Sequence, residues 1–271
     1  MSPPLDDSRL DWELLRRFDF DEERFYALGN LIYEERPDYV VVIGDLWDLP
    51  SLNGWEGSRA MGGAGFGLKG EGADYVADLE AGRDALRAIM SRTKSENARH
   101  IRNRRRDRVW EPVWIFLFGN HEDRSDRAKN HLPELRNRLG TWELEEILEQ
   151  EGWEYNPFLR PTEIEGVYFS HYFTAGNSRR PVSQTQALKK HFHSLVQGHN
   201  HEYQFQVERD PLAGRNMFFL SAGCFKSPRY CGPHEWSGVV MLDMHGRGEA
   251  TPAPIAIDQV LSRYARTRNA A

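Results

Sequence analysis

Histidine is absent from the opening third of this 271-residue chain: the first of its ten histidines is His100. Cysteine is nearly as scarce. Cys224 and Cys231 are the two in the sequence, which cannot frame a protein of this size with disulfides and are too few for a structural zinc site by themselves. They are expected to be reduced thiols. No apolar run approaches the roughly 20 residues that cross a bilayer. The opening MSPPLDDSRLDW has neither the basic flank nor the apolar stretch of a secretory signal. A soluble, cytoplasmic protein is therefore expected. Apolar residues at 39% with eight Trp exclude disorder throughout and allow one large domain with a real core.

Short β-branched and aromatic runs punctuate the chain at 39–43 (YVVVI), 113–118 (VWIFLF), 167–170 (VYFS), 194–197 (SLVQ), 217–221 (MFFLS) and 239–242 (VVML). Each stops at Gly, Asn, Asp or His, and near-continuous apolar runs fit strands covered on both faces. Phe25, Leu28, Leu31 and Ile32 stand at helical spacing within 22–35, closed by Pro37; further helices are expected over 74–108, 141–151 and 184–192. Alternating helices and strands, with a strand-rich end, indicate a layered α/β fold spanning 1–271 as a single domain.

An insertion at 51–112 interrupts that pattern. Residues 54–72 hold eight glycines, too flexible for an element interior and without the spacing of a phosphate-cradling loop, so a mobile rim loop is expected. The stretch 83–108, which opens on Arg83 and closes on Arg108, carries ten Arg or Lys against three acids, in a chain of net charge −6. It reads either as a solvated helix face or as a surface for the phosphate backbone of DNA or RNA. Trp47 and Trp55 are expected at the exposed rim beside it, where bases could stack.

The ends of the apolar runs read Gly44-Asp45-Leu46-Trp47-Asp48, Gly119-Asn120-His121-Glu122, Ser170-His171 and Gly198-His199-Asn200-His201. Each sets an oxygen or nitrogen donor just past the carboxyl end of a buried strand, where open α/β sheets build their sites. Singly, an Asp there caps a turn and a His is a hydrogen-bonded structural residue. Together, a carboxylate, an amide and three imidazoles suit Mn, Fe or Zn better than Ca or a thiolate metal.

These four motifs, in this order, resemble the calcineurin-like metallophosphoesterase superfamily, whose signature is D-x-H, GD-x-x-D, GNH[ED], a lone His and GH-x-H. The resemblance covers Asp45 to His201 and implies the four-layer α/β/β/α sandwich of that superfamily. It further implies a metal-dependent phosphoesterase acting by attack of metal-activated water on phosphorus. Asp45 would bridge two metals. Asn120, His171 and His199 would complete one metal's shell, and His201 would serve the other. His121 would protonate the leaving oxygen, steered by Asp48. Arg124 and Arg179 are candidates to contact substrate phosphate. Manganese is the expected metal, with Fe and Zn as alternatives.

The first motif of that signature has no counterpart ahead of the helix at 22–35, where the sequence offers Asp11-Trp12-Glu13 and Asp19-Phe20-Asp21 but no imidazole. Three readings stand open. The motif and its strand are lost, or they lie upstream, or Asp243-Met244-His245, just past the run at 239–242, takes their place. Without that motif one metal keeps Asp45, Asn120, His171 and His199, while the other keeps only Asp45 and His201. One firmly bound ion and a second that is weak or absent are expected. Phosphoprotein phosphatases of the superfamily carry Arg-Gly after the second motif, where this chain has Leu49-Pro50. The tail layout, Ser221-Ala222-Gly223 and then Trp236-Ser237-Gly238, is similar to that of bacterial and bacteriophage members, and the substrate expected is a nucleic acid or nucleotide phosphodiester. The alternatives are a catalytically weakened nucleic-acid-binding protein and a small-nucleotide phosphomonoesterase.

Overall fold

The computed structural model describes residues 22–52, 74–131, 139–176, 178–210 and 214–265, a mixed α/β arrangement with six α-helices among them. Two sheets and a hairpin organise it. β1 (Tyr39–Val42), β2 (Val113–Leu117) and β3 (Glu154–Asn156) pair in parallel in that order. The second sheet runs β4 (Thr162–Ile164), β5 (Val167–Ser170), β6 (Ser194–Gln197), β8 (Asn216–Ala222) and β7 (Tyr203–Arg209), with β5, β6 and β8 parallel. β9 (Gly238–Gly246) and β10 (Glu249–Ala256) form an antiparallel pair.

Strand alternation divides the apolar side chains among three cores. Trp114, Phe116, Val40 and Val42 face helices α1 (Glu22–Glu35), α2 (Tyr75–Arg102), α4 (Trp142–Glu151) and α6 (Ile257–Tyr264) through Leu31, Ile89, Leu148 and Val260. Their neighbours Ile115, Leu117, Val41 and Ile43 turn the other way, onto Val167, Phe169, Val196 and Leu220 of the second sheet. That sheet's outer side chains, Leu195, Met217 and Phe219, pack on Ala187 and Leu188 of α5 (Gln184–His191). The hairpin joins in the same manner, with Val239 and Met241 in the first core and Val240 and Leu242 in the second.

Helix α2 begins where Asp74 accepts hydrogen bonds from the Val76 and Ala77 amides at 2.9 and 3.2 Å. It ends at Arg102 rather than continuing to 108; Arg104 adopts φ 57° and Arg106–Arg108 forms a separate 3-10 turn. Much of its positive charge is matched locally. Arg87 and Lys94 reach Glu151 at 2.7 and 3.5 Å, Arg92 and Arg99 reach Glu96 at 3.3 and 2.5 Å, and Arg83 pairs with Glu80 at 3.2 Å. The basic face therefore narrows to the exposed end at Arg102, Arg104, Arg105, Arg106 and Arg108, which form no ion pair among the described residues.

Trp47 is not at the rim. It is 1% exposed, packs on Phe116 with ring centroids 5.3 Å apart, and donates its indole N–H to Leu79 O of α2 at 3.1 Å. Apolar burial and a satisfied N–H outweigh the exposed loop position that the sequence suggests. Trp55 and the glycine-rich stretch lie outside the described residues, as do the carboxylate pairs of 11–21. Gly82 of α2 makes the Trp47 seat possible, since a Cβ there would fall within the indole. Gly82→Ala, which would stabilise a free helix by about 1 kcal/mol, is instead expected to destabilise by about 1–3 kcal/mol through overpacking. Urea unfolding decides between the two signs.

Strand β9 does not stop at Leu242 but runs to Gly246, which puts Asp243 and His245 inside a paired strand. His245 Nε2 is 2.8 Å from Thr251 Oγ1 of β10, and the residue is exposed on the hairpin. Neither Asp243 nor His245 belongs to a set of possible metal ligands among the described residues.

Candidate metal centre

β1, β2, β5 and β6 release their chains at corresponding ends, because each pair is parallel and in register, Val42 opposite Phe116 and Ser170 opposite Gln197. The residues following them converge across the two sheets. His171 is buried, and its Nδ1 lies 2.8 Å from Ile43 O, so the ring donates there and presents Nε2 inward. Around that Nε2 stand Asn120 Oδ1 at 2.9 Å, His199 Nδ1 at 3.2 Å and Asp45 Oδ2 at 3.3 Å. Asp45, His171 and His199 form a set of ligand atoms all within 4.8 Å of one another.

The tight chain path at this point follows from local conformation. Gly44 has φ 82° and Asp45 φ 58°, so the chain reverses directly after β1 and aims the carboxylate back at β2. A Cβ on Gly119 would overlap that carboxylate, so glycine is required there for the approach. Asp45 Oδ1 accepts the His121 amide at 3.0 Å. Burial opposes its charge, but the hydrogen bond and charge of His171, helped by His121, prevail and hold the carboxyl at about 2. Burial, then the neighbouring His171, lowers His199 to about 4, which keeps its imidazole neutral. His171 moves the other way, since Asp45 outweighs the effect of burial and raises it.

Glu122, wholly buried, is the support that the sequence does not reveal. Its carboxylate accepts the amides of Asp45 and Trp47, each at 2.9 Å, and of Gly119 at 2.8 Å, clamping the ends of β1 and β2 together. Burial and the charge of Asp45 raise its carboxyl to about 7 against those three donors. Behind the same loop, Asp78 of α2 accepts the Ser51 amide at 3.0 Å and holds the turn Pro50–Leu52.

His121 stands at the edge of the cluster. Its Nδ1 is 2.5 Å from Asp48 Oδ1 and its Nε2 is 3.8 Å from Asp45 Oδ2. The His121 hydrogen bond holds the Asp48 carboxyl below its ordinary range. Arg124, opening α3 (Arg124–His131), donates to Asp48 O and places Nη2 3.1 Å from His121 Nε2. Arg179 lies over the ring of Phe158 at 5.8 Å, and Phe158 in turn packs on His171 with centroids 6.1 Å apart. Both arginines therefore border the cluster without entering it.

His201 is separated from the other ligand candidates. The set around His171 does not include it; its Nδ1 instead lies 2.7 Å from Glu235 Oε1 and 2.9 Å from Lys226 Nζ. The positive φ of both His199 (67°) and His201 (58°) breaks the extended alternation that would have put the pair on one face. Glu235 and Lys226 have no signal in the motif, because they reach His201 from the distant loop before β9.

No protein-family model matches the chain, and no curated protein matches it.

The donor set fits a cation on a direct structural ground. Three acceptor atoms, a carboxylate oxygen, an amide oxygen and a neutral imidazole nitrogen, converge on one imidazole nitrogen, and a single proton cannot serve them all. A divalent ion could take all four as ligands, and the Ile43 carbonyl holds His171 as an outer-sphere partner would.

Proposed function

We propose that the protein is a metal-dependent hydrolase whose centre is Asp45, Asn120, His171 and His199. The convergence of those four donors at the ends of β1, β2, β5 and β6 carries the reading. More particularly, it is read as a calcineurin-like metallophosphoesterase, with the three cores corresponding to the four-layer sandwich of that superfamily, acting on phosphodiesters of nucleic acids or nucleotides. Manganese is the proposed metal, held firmly at this centre. A second ion near His201 would be weak, because His201 stands apart from the ligand atoms around Asp45 and its Nδ1 is engaged by Glu235 and Lys226.

A bound divalent ion would supply an acidified water and neutralise phosphoryl oxygens. The protein's own groups do the rest. His121, steered at Nδ1 by Asp48, presents Nε2 beside the Asp45 carboxylate, where it can give a proton to a departing oxygen. Arg124 borders the same nitrogen and offers its guanidinium to a phosphoryl oxygen once substrate displaces it from His121. Glu122 keeps the β1 and β2 ends from separating while charge gathers between them.

The test is Mn²⁺-dependent hydrolysis of bis-p-nitrophenyl phosphate. His121→Ala is expected to lower kcat on the order of 10²–10⁴-fold while Mn²⁺ binding, read by equilibrium dialysis, stays unchanged. The wild-type chain turning over no phosphodiester with any of Mn²⁺, Fe²⁺ or Zn²⁺ would sink the proposal.

The arginines at the end of α2 favour a second reading, in which the protein holds nucleic acid without needing the centre. Binding of a DNA duplex that weakens steeply with salt and survives His121→Ala supports it. Reversal of Arg104, Arg105 and Arg106 to Glu is then expected to flatten the salt dependence, as measured by fluorescence anisotropy.

A further inference from the structure

The loop between β8 and β9 gathers a second set of metal-ligating atoms. Cys224 Sγ, Cys231 Sγ and a carboxylate oxygen of Glu235 lie within 4.8 Å of one another, and both cysteines are free. Backbone contacts fix each donor. The Cys224 amide donates to Trp236 O at 2.9 Å, the Gly238 amide returns to Cys224 O at 2.9 Å, and the Cys231 amide reaches Pro228 O at 3.2 Å. Glu235 Oε2 accepts the Gly232 amide at 2.9 Å. Its other oxygen, Oε1, lies 2.9 Å from Lys226 Nζ and 2.7 Å from His201 Nδ1, so the carboxylate is held from both sides.

A tetrahedral ion with bonds of about 2.3 Å to sulfur and about 2.1 Å to oxygen sets its ligands about 3.6–3.8 Å apart. The three donors thus need only small side-chain movements to close on one. Two thiolates favour a borderline-soft metal over the hard ions that oxygen donors take. Lys226 Nζ, 2.9 Å from Glu235 Oε1, supplies the one positive charge by which two thiolates and a carboxylate exceed a dication.

We propose that Cys224, Cys231 and Glu235 bind one divalent ion of the zinc class, separate from the Asp45 centre, with water in the fourth position. Binding forms two metal–thiolate bonds and releases the two thiol protons to solvent. The two cysteines suffice because a carboxylate held by the same loop makes the third donor. The ion staples the segment from Cys224 to Glu235, and through the 2.7 Å contact of Glu235 with His201 Nδ1 it fixes that imidazole. Any bearing of His201 on hydrolysis rests on the function proposed above, whereas the ion site does not.

Cobalt(II) is the probe, added to the full chain kept reduced with a phosphine. A thiolate-to-cobalt charge-transfer band that saturates at one ion per chain and is displaced by zinc is expected. It should persist in Asp45→Asn and vanish in the Cys224→Ser, Cys231→Ser double variant. Absence of the band at saturating cobalt, while a thiol reagent counts two free thiols on the same sample, overturns the site. Loss of the band in Asp45→Asn overturns its separateness. The wild-type spectrum alone decides the matter if the double variant does not fold. A chain that gives the band yet hydrolyses no phosphodiester retains this site and refutes the proposed function alone.

Discussion

Asp45→Asn is expected to lower Mn²⁺-dependent phosphodiester hydrolysis by at least about a hundredfold and to abolish tight Mn²⁺ binding, with little change in unfolding midpoint. The scale follows from removing an anionic ligand, which costs more than the roughly 10–100-fold loss typical of an outer partner. Asparagine tolerates the φ of 58° and its oxygen can still accept the His121 amide, so the loop retains its shape. What goes is the charge, and with it the strongest attraction for a cation among the converging donors. Dialysis against Mn²⁺ and the hydrolysis assay on the same sample separate binding from chemistry. A variant within about twofold of wild type in both would remove Asp45 from the centre and end the metal-dependent reading.

Glu122→Ala is expected to be the most destabilising change at the site without touching a ligand. It strands the amides of Asp45, Trp47 and Gly119 in a dry interior. At about 1–3 kcal/mol for each unpaired buried donor, a loss of about 3–6 kcal/mol is expected, much of the 5–15 kcal/mol that ordinarily holds a domain. Urea unfolding measures it; a loss below about 1 kcal/mol would mean the clamp is dispensable. The same carboxyl gives a pH signature. Its folded-state value, raised to about 7 from an ordinary 4.5, means that the folded chain holds this proton more tightly than the unfolded one. Its contribution is full below pH 4.5 and is lost as pH rises toward 7. In ion-free protein that slope should disappear in Glu122→Gln.

The strands that carry the centre were legible because burial on both faces forces continuous apolar runs, as at Val40 to Val42 and Val196. Their polar stops were legible for the same reason, since a donor just past such a run must sit at the sheet's edge. Edge strands were not. β10 carries Pro252 and Pro254, which argue against a strand until one sees that it pairs only with β9 among the described residues. β3 and β4 are three residues each, too short for a period to show. Trp47 was misread because its burial depends on Gly82, 35 positions later in the sequence and on another element. Glu122 lay within the motif, but its clamp is visible only once β1 and β2 are side by side. Lys226 and Glu235 meet His201 through tertiary packing alone, and no spacing announces that.

The left-handed conformations at Asp45, His199 and His201 have a consequence for selection. Each departs from the backbone that an L-residue prefers, at a cost of about 1–2 kcal/mol that glycine escapes. At these three positions the chain gives up stability to present a carboxylate or an imidazole. Random variants sorted only for resistance to unfolding should therefore drift toward glycine at 45, 199 and 201, and would do so while erasing the donors. Sorting for ion retention pulls the opposite way, so at these three positions thermostability and ion retention are competing objectives.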